Sequence, residues 1–123
     1  MKKLIACLLL SCIALFADVT GKWSGTGKAA TSDGDAEVMP LTLELKQTGT
    51  EVTGVVVHGG SGDRYSIKNG VLEGNTLKMD VVTDDGSKFG ITLTVDGDKM
   101  AGEAIGEHDN ANVKVKLEFK RES

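Results

Sequence analysis

The chain has 123 residues, with 14 lysines and arginines against 18 aspartates and glutamates, for a formal net charge of −4. That length holds one domain with a core of its own. The acidic balance argues against nucleic acid or an anionic membrane surface as partner.

The N-terminal segment comes first. Lys2 and Lys3 precede an almost unbroken apolar run from Leu4 to Phe16, and Ala17 offers a small residue for cleavage. This reads as a secretory signal peptide covering residues 1–17, so the protein is expected to be exported, periplasmic or extracellular. The run is short for a bilayer span, and no later apolar run is long enough for one. Both cysteines, Cys7 and Cys12, lie inside it. The mature domain, residues 18–123, would then have no disulfide and would depend on its core. Loss of Lys2 and Lys3 moves the net charge from −4 to −6.

From residue 18 the chain alternates apolar and polar positions, broken by short turns. Residues 18–28 form the first expected strand, carrying Trp23, followed by a polar loop over 29–37. The second strand, 38–47, sets Leu41, Leu43 and Leu45 against Thr42, Glu44 and Lys46, a period of two. Strands follow at 51–58, 64–73, 76–83, 88–95, 99–106 and 112–121, about eight in all. Thr48-Gly49-Thr50, Gly74-Asn75 and Asp96-Gly97-Asp98 supply tight turns. Asn69-Gly70 is a strong turn signal in its own right. A turn there would leave Val71–Glu73 too short for a strand, so the pair is read as a bulge.

Short connections make neighbours in sequence neighbours in the sheet. Eight such strands, apolar on one face, close into an up-and-down antiparallel barrel, which removes both edges. A two-sheet sandwich usually needs a longer crossing connection, and none is visible.

Gly21-Lys22-Trp23 at the head of such a meander resembles the start of the calycin barrels, the group of lipocalins and fatty-acid-binding proteins. That resemblance implies a Trp packed under the closed end with a basic residue of the last strand across its ring. Here these are Trp23 and Arg121, or Lys120. The chain departs from lipocalins in lacking their disulfide and C-terminal helix. Leu9-Leu10-Ser11-Cys12 loosely resembles a bacterial lipobox, which leaves lipid anchoring through Cys12 as the alternative to cleavage after Ala17.

Connections in a meander alternate between two ends. The tight turns share the end of Trp23 and Arg121, which makes it the closed one. Loops 29–37, 59–63, 84–87 and 107–111 share the open mouth, where binding residues usually sit. That mouth collects Asp33, Asp35, Glu37, Asp63, Asp84, Asp85, Glu107 and Asp109 with His58, Arg64 and His108. Three readings stand: a solvated rim, a cation site using the aspartates, and a metal or acid–base site using the two histidines. The expected interior, including Leu43, Met79, Phe89, Leu93, Met100 and Phe119, carries no charge. Gly54 and Gly102 fall at inward positions, either leaving room for a cavity or permitting strand coiling.

No cysteine survives maturation and no G-x-S-x-G occurs, so no enzyme activity, cofactor or metal is expected. The expected function is binding of a small apolar or amphiphilic ligand at the mouth of a monomeric barrel. The candidate contacts are His58, Arg64, Tyr65, Met79, Phe89, Met100 and His108. The alternative is a protein partner, as in an inhibitor of an exported protease engaging it through an arm from Asp18 or through a mouth loop.

Overall fold

The computed structural model describes residues 18–30, 36–84, 86–108 and 111–122, with backbone only at Ala30, Ala36, Glu37, Glu107, His108 and Ala111. The signal segment, with Cys7 and Cys12, and the mouth residues Asp33, Asp35, Asp85 and Asp109 lie outside the described residues. Eight strands run β1 (Gly21–Ala30), β2 (Ala36–Thr48), β3 (Glu51–His58), β4 (Arg64–Glu73), β5 (Thr76–Val82), β6 (Lys88–Asp96), β7 (Lys99–His108) and β8 (Ala111–Arg121). Each pairs antiparallel with the next, and β8 returns to β1 from Trp23↔Arg121 to Ala29↔Val115. The result is the expected all-β, closed up-and-down barrel.

Several strand boundaries differ from the sequence expectation. Asp18–Thr20 precede the first strand instead of belonging to it. β1 and β2 extend toward each other, so the first connection is 31–35. β7 and β8 run through most of the expected 107–111 loop, pairing Glu107 with Asn112 and His108 with Ala111. Polarity misleads here: pairing depends on backbone groups, which Glu107 and His108 supply as well as any residue.

Alternation decides which side chains are buried. Leu43, Val52, Leu77, Leu93 and Met100 are almost wholly enclosed, and among the described residues no polar or charged side chain is buried. Each large apolar side chain contributes about 1.5–3 kcal/mol on burial. The outer wall carries exposed residues such as Lys22, Lys46, Lys78, Thr92, Lys116 and Glu118. A membrane barrel has the opposite arrangement, apolar outside and polar within. Among the described residues no helix is long and apolar enough to cross a membrane.

Asn69-Gly70 is a β-bulge inside β4, as read. Register shifts there against both β3 and β5, and Asn69 has φ 55°, a left-handed conformation that Asn tolerates better than most residues. The extra residue reverses the phase of the strand. Tyr65 and Ile67 face inward before it; Gly70 and Leu72 do so after it, leaving Val71 outside.

Close backbone approach explains the two glycines singled out in the sequence. A Cβ on Gly54 would lie 1.9 Å from the Glu44 carbonyl oxygen, and one on Gly102 would lie 1.9 Å from that of Thr92. Gly25 and Gly70 stand in the same relation to Glu118 and Val52. These are the kinks at which a sheet bends enough to close. They permit coiling and are not what makes the cavity described below.

The closed end is knitted by its turns. Leu72 N–H donates to Thr50 O, Val95 N–H to Asn75 O and Arg121 N–H to Asp98 O, at 2.7–2.8 Å. Beneath them Trp23 is fully enclosed and its indole N–H donates to Val19 O at 3.0 Å. Val19, also fully enclosed, seals the base. The Arg121 guanidinium sits 4.3 Å from the Trp23 ring centroid. It also donates to Asp98 Oδ1 at 3.0 Å, Thr20 O at 2.8 Å and Asp18 O at 2.6 Å.

Two outcomes follow for urea denaturation. Gly102→Ala is expected to cost about 1–3 kcal/mol through overpacking. Gly90→Ala, whose Cβ meets nothing nearer than 3.9 Å, should stay within about 0.5 kcal/mol of wild type. Arg121→Met is expected to cost about 2–4 kcal/mol from the lost ring contact and charged hydrogen bonds. Arg121→Lys should recover only part of that loss, because lysine has no planar fork.

Candidate functional site

The two halves of the barrel are packed differently. Toward the closed end Trp23, Leu45, Leu77, Leu93 and Met100 fill the lumen. Toward the open end a cavity of about 230 Å³ remains, bounded by apolar side chains of β2 to β8. Met39, Leu41 and Leu43 form one wall, Met79, Val81, Phe89 and Ile91 another, and Ala104, Val115, Leu117 and Phe119 the third. Its polar edge consists of His58, Tyr65 and Thr83. Ala104 leaves space because, among the described residues, its methyl is the only side chain that β7 adds to the lining.

His58 and Tyr65 belong to a bonded loop at the rim. His58 N–H donates to Asp63 O at 2.9 Å and Gly62 N–H to His58 O at 2.7 Å, folding 59–63 into a compact turn. Ser61 N–H donates to His58 Nδ1 at 3.3 Å, and the Ser61 hydroxyl lies 3.2 Å from the same atom. That hydroxyl donates to Asp63 Oδ2 at 3.0 Å, which also accepts from Tyr65 OH at 3.4 Å. In a hydrolytic triad the carboxylate orients the imidazole; here it holds the serine.

Four of the seven candidate contacts meet at the cavity: His58, Tyr65, Met79 and Phe89. Two do not. Arg64 is one residue out of phase with Tyr65, so it projects from the outer wall, where its Nη2 lies 3.4 Å from Glu44 Oε2. Met100 is buried but outside the cavity lining. The His108 side chain falls outside the described residues, although its backbone pairs with Ala111. Met39, Thr83 and Ala104 were not singled out, although each continues an inward phase set by Leu41, Val81 or Gly102. Among the described residues no three His, Asp or Glu side chains form a group that could hold a metal ion.

At the closed end the Thr20 backbone N–H, then its hydroxyl, then Arg121 hold the Asp18 carboxyl below the usual carboxylate range. Asp18 thus stays ionised and caps the entry to β1, with Thr20 N–H donating to its Oδ1 at 3.0 Å.

Fold and cavity together define the class: a closed eight-stranded antiparallel barrel with an apolar pocket in one half. No protein-family model matches the chain, and no curated protein matches it. Among solved structures it is similar to a chain from the de novo design of a fluorescence-activating β-barrel. The TM-score is 0.51 at 22% identity, over 84% of this chain and 93% of that one. At that identity the likeness is one of fold.

Phe89 reaches its place at the rim because its cross-strand partner is Gly106. A Cβ on Gly106 would fall 2.4 Å from Phe89 Cδ1 and 2.6 Å from Lys88 O. Gly106→Ala is therefore expected to destabilise by about 1–3 kcal/mol. In a double-mutant cycle Phe89→Leu should relieve at least about 0.5 kcal/mol of that cost; strict additivity of the two changes would contradict the contact.

Proposed function

We propose that the protein is an exported, calycin-like carrier that holds one small apolar or amphiphilic molecule in the open half of its barrel without transforming it. The observation that carries this reading is the cavity of about 230 Å³, walled by aliphatic, methionine and phenylalanine side chains. A barrel of eight strands either fills with its own side chains or holds one small ligand, and this one fills only its closed half. An enclosed apolar cavity of about 150 Å³ accepts an apolar guest such as benzene. Met39 and Met79 supply adaptable surface. The solved structure of similar fold comes from the design of a fluorescence-activating β-barrel. The signal-like Lys2-Lys3 and Leu4–Phe16 pattern supports export.

Of the two routes open to an inhibitor, a mouth loop or an N-terminal arm, the second asks for a free segment at Asp18. Instead the Asp18 and Thr20 carbonyls accept from Arg121, and Val19 is enclosed.

Titration calorimetry with naphthalene is expected to show one site per chain. Saturation to about a hundredfold over Kd should raise stability by about 2.7 kcal/mol. Ala104→Leu should abolish that binding by occupying the void while the protein stays folded. Absence of binding across apolar probes of this size overturns the proposal.

A further inference from the structure

We propose that the bound molecule carries a neutral hydrogen-bond acceptor, such as a ketone, ester or amide carbonyl, which meets His58 at the rim. Its apolar body would have about nine non-hydrogen atoms. This rests on the ligand-binding reading above and narrows it to a chemical class.

The size follows from the void. An apolar cavity of about 150 Å³ holds one benzene, so about 230 Å³ takes roughly half as many atoms again.

The head group follows from the rim. Nδ1 of His58 faces the backbone N–H of Ser61, a donor with no alternative role. With Nδ1 as acceptor from Ser61 N–H, the ring proton lies on Nε2, and the Ser61 hydroxyl sits beside Nδ1 with its own proton directed to Asp63. Among the described residues no protein group answers Nε2: the contacts of His58 all run through Nδ1 and its own backbone. His58 is half-buried and lines the cavity. An N–H donor on the polar edge that His58 shares with Tyr65 and Thr83, above apolar walls, selects a guest that accepts one hydrogen bond there.

The charge at the rim excludes a carboxylate head. Asp63 sits in the same bonded loop, on Ser61 and Tyr65. Arg64 is turned outward to Glu44. Among the described residues, the cavity lining contains no lysine or arginine to neutralise an anion. A neutral acceptor satisfies His58 without opposing Asp63.

Calorimetric titration at pH 8 with 2-nonanone, nonanoate and naphthalene tests this. The wild-type protein is expected to bind 2-nonanone one to one and at least about tenfold tighter than nonanoate. His58→Leu should weaken 2-nonanone about tenfold, the scale of one hydrogen bond, and leave naphthalene within about twofold. His58→Gln, whose amide N–H takes the place of Nε2–H, should keep most of the ketone affinity. Nonanoate binding as tightly as 2-nonanone overturns the inference, as does a folded His58→Leu protein that holds the ketone as well as wild type. In either case retained naphthalene binding leaves the carrier reading intact. Failure of naphthalene and 2-nonanone alike removes both. Should His58→Leu not fold, the comparison of ketone with carboxylate on the wild-type protein decides alone.

Discussion

Arg121 and Trp23 meet at the seam where the last strand returns to the first, and the barrel depends on that meeting. The guanidinium stacks 4.3 Å from the ring centroid while its N–H groups reach Asp98, Thr20 and Asp18. One side chain therefore ties the end of β8 to the start of β1 and to the turn between β6 and β7. Closure costs chain entropy that grows with the length of loop enclosed, and this seam encloses nearly the whole described domain. Planarity matters as much as charge. An ammonium offers its donors from one nitrogen, whereas the fork reaches three acceptors from three separate nitrogens with its carbon over the indole.

That seam also explains why the lumen is unequal. Trp23 is enclosed at the base, and Leu45, Leu77, Leu93 and Met100 are buried with it in the closed half. Above them the inward positions of β7 pass to Ala104 and then Gly106, where little side-chain volume enters the lumen. Phe89 lies against Gly106 instead of across the opening. A cavity results where β7 becomes thin, and it opens on the side where the connections are not tight turns.

Much of this was legible in the amino-acid order. Leu41-x-Leu43-x-Leu45 and Val113-x-Val115-x-Leu117-x-Phe119 announce strands with one apolar face, since a pleated chain puts every second side chain on the same side. Trp23 and Arg121 could be paired because a meander of eight strands brings first and last together. Val19 was not legible as the basal plug. It belongs to no periodic run, and its role depends on an indole that folds back onto it. Gly54 and Gly102 stood out, but whether an absent side chain makes room for a guest or for a neighbouring carbonyl is a matter of distance. Arg64 and Tyr65 are adjacent in sequence, and the pleat sends them to opposite sides of the wall. The loop that binds His58 through Ser61 and Asp63 has no signature beyond its small polar residues.

Asp18 and Glu122 lie side by side: Arg121 reaches the Asp18 carbonyl, and Glu122 N–H donates to Lys22 O. The described chain enters and leaves at the same pole, opposite the cavity. A lipid, a solid support or a fused partner attached at either terminus would hold the barrel by its base like a cup on a stem. The rim around His58 would still look outward, and exchange with the surrounding medium would not be obstructed by the attachment.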